Sequence, residues 1–383
     1  MYFRNHLILK KEVKMKILEI NSVCGIKSTG RIATDLAEKY ILDGHECKIA
    51  YGRENVPEKY KDISYRIGTN SSVRLNALKA RIFDNEAFNA KKETKKFIKW
   101  ANNYNPDVLW LHNLHGYYIN IEMLFDWIKS RPQMEVRWTL HDCWSFTGHC
   151  AHFSIIGCEK WMTCCENCEL KGDYPKSIFY DNCKVNFLKK KRSFVGVKNM
   201  KLITPSYWLA YLVKQSFLKD YPVEVVHNTI DESIFKPTFG NFREKYCLED
   251  KFIVLGVASS WSNKKGLMDF IELSKLLDAS FDIVMVGLTR KQKKNIDKKI
   301  ICIERTDSKE ELAEIYTTAD VFLNLTYEDN YPTVNLEAQA CGTPCITYRT
   351  GGSVESVRPE NIIEQGDLKS VALKIKKLKE KGL

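Results

Sequence analysis

No apolar run in this chain of 383 residues approaches the ~20 residues that a helix needs to span a bilayer, so the sequence offers no candidate for a membrane-crossing helix. The opening MYFRNHLILKKEVKMK carries only a short apolar patch, His6 to Leu9, between lysines, which is too brief for the core of a secretory signal. Strand-like sequence begins at Lys16, and Met15 is therefore expected as an alternative start, with the residues before it a leader. There is no internal repeat of the length that builds solenoids or propellers, and no low-complexity tract beyond short lysine clusters. An even disulfide framework is lacking too: the 13 cysteines are odd in number, and most sit in segments that read as buried, such as Cys47, Cys247 and Cys302. That usage points to a reducing, cytoplasmic compartment.

Excess charge is missing from one half of the chain. Residues 241–383 hold 22 basic and 22 acidic side chains, so the whole net charge of +11 lies in residues 1–240. A basic half can face nucleic acid, anionic lipid head groups or a phosphorylated substrate, and it can equally be a solvated lysine-rich surface.

Strand-length apolar runs alternate with amphipathic helical stretches along the chain, the pattern of parallel sheets covered on both faces. In the first half the strands read as 16–22, 47–52, 107–114, 135–142, 201–206 and 223–228, with helices such as 31–42 and 121–130 between them. In the second half FIVLGVAS, DIVMVG, ICIE, DVFLNL and PCITYR are strands, separated by helices including 266–277 and 308–319. The expected fold class is α/β with two Rossmann-like domains. The segment Asn228–Phe242 breaks the rhythm, which places a first domain at 1–237, with a cysteine-rich insertion near 143–170, and a second at 238–383. Ligands of open parallel sheets bind at the carboxyl ends of strands, so two such domains are expected to face each other across a cleft.

The stretch Tyr327–Cys345, YEDNYPTVNLEAQACGTPC, carries the most chemistry. Pro332 fits a first helical turn, which would leave the amides of Thr333, Val334 and Asn335 pointing along the helix axis as an anion site. Helical side chains tilt toward the N-terminus, so Glu337 leans over the same mouth. Phosphate beside a carboxylate that can bind hydroxyls points to a nucleotide-sugar. A purely structural account makes Glu337 a helix acid that favours the dipole and Asp329 or Asn330 a turn or cap residue.

In this order the residues resemble a retaining glycosyltransferase of the GT-B fold, similar to family 4, which includes bacterial polysaccharide and lipopolysaccharide sugar transferases. The resemblance runs from about Lys16 to the end. DNYPTVNLEAQACGTPCI is similar to the family's paired-acid motif, E-x7-E, and implies that Asp329 touches the donor sugar and Glu337 the ribose. Asp329 is shorter by a methylene than the family's glutamate, and Glu328 is its neighbouring substitute. VASSWSNKKGLMDFIELSKLL resembles the family's strand and loop that end in Lys-Gly, which puts Lys265 on the donor pyrophosphate. The family's arginine a few residues earlier is replaced by Ser259 and Ser260, with Lys264 the local substitute. VRWTLHD ends in His141, whose family equivalent contacts the donor sugar near the reaction centre. The loop NSVCGIKSTGR is not a dinucleotide fingerprint, but its Gly25 and Gly30 match a turn that lies close to donor phosphates or acceptor. The catalytic set implied is His141, Lys265, Asp329 and Glu337, with Gly30, Lys264, Glu328, Thr333, Val334 and Asn335 on the donor. His112, His115, Ser206 and Trp208 could line the acceptor side. The family commonly adds a final helix beyond an ending such as SVALKIKKLKEKGL, and without it closure would be weaker.

The segment 141–172 reads HDCWSFTGHCAHFSIIGCEKWMTCCENCELKG. Cys150, Cys158, Cys165 and Cys168 could hold a structural zinc, a reading that a similar insertion in part of the family supports; unpaired thiols or disulfides are the other readings. Nothing resembles the Asp-x-Asp metal site of other transferases, so no catalytic metal is expected.

The implied reaction moves a hexosyl unit from a nucleotide-diphosphate sugar to a glycan or lipid-linked acceptor with retention. Lys265 and the helix amides would stabilise the departing diphosphate. The basic stretches AKKETKKFIKW and FLKKKRSF could rest on an anionic membrane at the inner face of the plasma membrane. The alternatives are a non-catalytic, basic, zinc-bearing nucleic-acid-binding protein, or another GT-B enzyme such as an inverting transferase or a sugar-nucleotide epimerase. No RNA-binding module signature supports the first, and nucleic acid is not an expected partner.

Overall fold

A computed structural model describes residues 14–297 and 299–382; the leader expected before Met15 lies almost wholly outside the described residues. Two parallel sheets organise the chain. The first has strands β1 (Lys16–Asn21), β2 (Glu46–Tyr51), β3 (Ser64–Arg66), β4 (Val108–Leu111), β5 (Glu135–Thr139), β6 (Met200–Thr204) and β7 (Val223–Val225), in the order β3-β2-β1-β4-β5-β6-β7. The second has β8 (Phe252–Val257), β9 (Phe281–Val286), β10 (Ile300–Ile303), β11 (Val321–Asn324), β12 (Cys345–Tyr348) and β13 (Ile362–Ile363), in the order β10-β9-β8-β11-β12-β13. In each sheet the order reverses once, between β1 and β4 and between β8 and β11. Such a reversal splays the following loops apart and leaves a crevice at the carboxyl ends.

Near-continuous apolar strands form because helices cover both faces. In the second sheet Val254, Ile283, Met285 and Leu323 enter one core layer, while their neighbours Ile253, Leu255, Val284 and Phe322 enter the other. Alternate residues of each strand thus feed opposite layers, as the pleat requires.

By contacts the chain divides into two compact units, residues 14–151, 160–203 and 216–223 in one and 152–159, 204–215 and 224–382 in the other. The stretch 224–237, assigned to the first domain from sequence, groups with the second: Phe235 is buried in its core, with Ile230 and Ile234 packed against it. The expected strands 107–114 and 135–142 stop earlier, at Leu111 and Thr139, so that the histidines after them lie in loops at the carboxyl edge.

The two lysine-rich stretches differ. In the helix Lys91–Tyr104 the buried face is Thr94, Phe97 and Ala101, and Lys91, Lys92, Lys95, Lys96 and Lys99 are exposed. In the helix Cys183–Phe194, Lys190 is buried, its Nζ donating to the carbonyls of Trp144 at 2.7 Å and Thr147 at 3.1 Å. Burial lowers its pKa to about 7. Part of that second basic run is therefore internal structure.

Candidate active site

Two loops meet at the reversal point of the second sheet. The loop after β8 carries Lys264 and Lys265, and the loop after β11 carries Glu328 and Asp329. They are joined by backbone and side-chain bonds: the Tyr327 amide donates to Lys264 O at 2.8 Å, and Thr326 Oγ1 to the same oxygen at 3.3 Å. Gly266 makes this approach possible. It has φ +76°, and a Cβ there would lie 2.3 Å from Leu325 O, so both its left-handed backbone and the lack of a side chain are required.

Both lysines are paired with acids of the facing loop. Lys264 Nζ lies 2.7 Å from Glu328 Oε2, and Lys265 Nζ lies 2.6 Å from Asp329 Oδ2. Glu328 is buried, whereas Lys264 and Lys265 keep more than a third of their side chains exposed (37% and 38%). The lysines can therefore reach a ligand while their partners hold them at the loop junction.

The helix Thr333–Ala340 follows directly. Pro332 is its cap in an extended conformation (φ −72°, ψ 122°) rather than a first-turn residue. The Asn335 amide is not free for an anion as the sequence implied, because it donates to Pro332 O at 3.2 Å. The tight first turn consumes it and leaves the amides of Thr333 and Val334 as the ones without an intrahelical acceptor. The Asn335 side chain is also committed, donating to Ser356 Oγ at 2.9 Å and accepting from Asn324 Nδ2 at 2.9 Å. Asn335 locks the helix to the sheet and to the 351–356 turn.

Glu337 is 8% exposed and lies one turn into this helix. Its Oε2 accepts from the hydroxyl of Tyr316 at 3.1 Å. Tyr316 is wholly buried, and burial together with the neighbouring carboxylate raises its pKa well above the ordinary tyrosine value. Sequence gave no sign of this partner, since Tyr316 sits in the preceding helix Lys309–Thr318 among residues spaced like ordinary core.

In the first unit Gly30 lies within the helix Lys27–Leu42, where a Cβ would come 3.0 Å from Val23 Cγ2, and its carbonyl accepts from the Gly25 amide at 3.0 Å. The turn uses its smallness for its own packing. His141 follows β5 and lines a pocket with His112, Asn113, His115 and Asp142. Its ring is stacked on His112 with centroids 5.4 Å apart, and burial lowers its pKa to about 4. Beside it His115 Nε2 lies 2.9 Å from Asp142 Oδ2. Burial opposes protonation of His115, but Asp142 and Glu86 outweigh it and raise the pKa.

The cysteine-rich loop is pinned by other groups. His149 Nδ1 pairs with the buried Asp84 at 2.6 Å, and Lys190 holds the 144 and 147 carbonyls. Cys150 and Cys168 share a hydrogen bond, and the Gly148 amide donates to Cys165 Sγ at 3.2 Å. Cys158 falls in 152–159, which groups with the second unit. Among the described residues no group of three or more His, Cys, Asp or Glu side chains is arranged to hold a metal ion.

Residues 239–382 match the family model described as glycosyl transferases group 1. This region is similar to that family. Over 170 residues, 42% of this chain and 41% of the relative, the sequence is 28% identical to WcaC of Escherichia coli (strain K12), whose name assigns it provisionally to colanic acid biosynthesis as a glycosyl transferase. Over 168 residues it is 25% identical to the capsular polysaccharide biosynthesis glycosyltransferase CapM of Staphylococcus aureus, covering 39% of this chain and 43% of that one. The chain thus spans about two fifths of the length of the curated relatives that it matches. HepE from Anabaena, solved in complex with UDP-glucose, superposes with a TM-score of 0.63 at 13% identity, covering 96% of this chain and 90% of that one. The matched region holds every second-unit residue of the candidate site, and the fold is the GT-B fold of two Rossmann-like domains.

Proposed function

We propose that the protein is a retaining glycosyltransferase that moves a hexosyl unit from a nucleotide-diphosphate sugar to a glycan or lipid-linked acceptor in cell-surface polysaccharide assembly. The observation that carries the reading is the pairing of Lys264 with Glu328 and of Lys265 with Asp329 across the loops after β8 and β11, at the reversal point of the second sheet, with the helix that bears Glu337 following directly along the chain. A diphosphate needs positive charge and N–H donors together; Lys265 would supply the first and the N-terminus of the helix that starts at Thr333, shortly after its partner Asp329, the second. Glu337, oriented by Tyr316, is the acceptor for ribose hydroxyls, and Asp329 the acceptor for those of the sugar.

In this reading a ligand phosphate draws Lys265 from Asp329, which frees that carboxylate for the sugar. As the sugar–phosphate bond breaks, charge grows on the leaving diphosphate, and Lys265 and the two amides stabilise it without reorganisation. His141 meets the sugar, and a leaving phosphate oxygen accepts the acceptor's proton on the same face. A relative named for capsular polysaccharide and a fold neighbour holding UDP-glucose support the substrate classes. The exposed lysines of the helix Lys91–Tyr104 support peripheral contact with anionic lipid, where a lipid-linked acceptor would be presented.

The test is a screen of UDP-, GDP- and ADP-sugars for binding and slow hydrolysis, with Glu337→Ala and Lys265→Ala as controls and the anomeric configuration of the product read by NMR. An inverted product would reject retention. No binding of any donor would reject the proposal.

A further inference from the structure

β1 and the carboxyl ends of β4 and β5 bring together a chain of three ionisable side chains, Glu19, His112 and His141. Glu19 on β1 is fully buried. Its Oε2 lies 3.2 Å from Nε2 of His112, the first residue after β4, and Nδ1 of His112 lies 3.1 Å from Nε2 of His141. The other Glu19 oxygen, Oε1, accepts from the Cys47 thiol at 3.5 Å. A carboxyl on a strand otherwise made of Ile17, Leu18 and Ile20 is costly to bury unless its proton and lone pairs are placed. In KILEIN it is the one polar side chain in the middle of a strand that faces the core.

We propose that Glu19 and His112 are positioning residues which fix the tautomer of His141, so that His141 carries its proton on Nδ1. The inference rests on the role given above to His141. The two nitrogens of a neutral imidazole are not equivalent, and the bond made by one decides what the other can do. With Glu19 protonated, its O–H donates to His112 Nε2, His112 Nδ1–H donates to His141 Nε2, and the remaining His141 proton sits on Nδ1 as a donor for a sugar hydroxyl. The reverse array has Glu19 ionised, His112 protonated on Nε2 and His141 on Nε2. Passing to it moves one proton from Glu19 to His112, one from His112 to His141, and releases the Nδ1 proton to solvent; no other bond changes.

The surroundings favour the first array. Burial raises the Glu19 carboxyl well above its ordinary value and drives His112 well below its own. Glu19 is faced by Cys24, Cys47 and Tyr40, none of them cationic in the neutral range. His141 is faced by Asp142, which favours its protonation, and by His115, which opposes it. Behind His115 stand Glu86 and the buried Lys190.

Nitrogen-15 NMR of histidine-labelled protein reads the tautomer directly and needs no donor, so it remains decisive even if the protein transfers no sugar. At pH 7 His141 is expected to be protonated on Nδ1 in the native protein and in Glu19→Gln, whose amide can donate to His112 as the protonated carboxyl does. On raising the pH the native protein passes to the reverse array, whereas Glu19→Gln does not. In His112→Asn, His141 loses its single tautomer and the KM for the donor rises roughly tenfold, the loss of about one hydrogen bond, with kcat less affected. A His141 protonated on Nε2 at pH 7, or an unchanged tautomer in His112→Asn, would overturn the proposal. So would a pH profile of Glu19→Gln that matches the native one.

Discussion

Replacing Glu337 by alanine should damage binding and folding through two separable routes. An ionised acceptor contributes about 1.5–3 kcal/mol per hydrogen bond. Losing the grip on two adjacent ribose hydroxyls, counted conservatively at about 3 kcal/mol in all, weakens a nucleoside diphosphate roughly 100-fold in Kd. Independently, the Tyr316 hydroxyl is wholly buried and donates to Glu337 at 3.1 Å, so alanine orphans it at a cost of about 1–3 kcal/mol of fold stability. The double variant Glu337→Ala/Tyr316→Phe removes the orphan. It should recover part of the lost stability in a thermal melt without recovering affinity in calorimetry. Tyr316→Phe alone should lose less than tenfold in affinity, because the carboxylate remains. If Glu337→Ala lowered the melting temperature but changed Kd by less than about threefold, the carboxylate would be a structural partner of Tyr316 and the ribose role would be wrong.

Four further outcomes follow from the same geometry. Lys265→Ala should weaken a diphosphate about tenfold or more but leave a nucleoside unaffected, read by calorimetry, and equal losses for both would remove Lys265 from the phosphates. Gly266→Ala should destabilise the protein by more than 1 kcal/mol, roughly the penalty of a left-handed alanine, since its Cβ must also displace Leu325 O; an unchanged melt would contradict the close approach. His141 is depressed from 6.5 to about 4 by burial, so the unfolded chain binds its proton first. Stability is then full above about pH 6.5 and falls as pH drops toward 4, by about 3 kcal/mol from this group; His141→Asn should flatten that part of the stability profile measured by denaturant. Flotation with anionic liposomes should carry the protein upward at low salt and lose it at high salt, and Lys91, Lys92, Lys95, Lys96 and Lys99 replaced together by glutamine should abolish it.

The fold was largely readable because strands buried on both faces have to be apolar runs, and FIVLGVAS or DIVMVG between amphipathic stretches admits few other arrangements. The paired acids and the Lys-Gly loop were readable for the same reason that they matter: the reversal point lies after β8 and β11, and both motifs follow those strands. What escaped was pairing in space. Nothing in the spacing shows that Lys265 meets Asp329, since the two lie on loops 64 residues apart. The Asn335 amide looked free because its tight bond to Pro332 depends on the cap conformation, which Pro332 adopts one residue outside the helix. Lys190 looked like part of a surface charge run, and only the position of Trp144 and Thr147 shows it is internal. The 224–237 stretch read as the tail of the first domain because turn residues there hide the periodicity of Ile230, Ile234 and Phe235. Glu19 did leave a signal, an acid inside a short apolar strand, although its partner is 93 residues away.

The most direct test is a crystal structure with whichever nucleoside diphosphate binds in the donor screen. The account predicts the diphosphate at the N-terminus of the helix Thr333–Ala340, within hydrogen-bond reach of the Thr333 and Val334 amides, with Lys265 turned from Asp329 onto it and Glu337 on the ribose. A diphosphate bound elsewhere, with Lys265 still on Asp329 and Glu337 making no contact with the ribose, would contradict it.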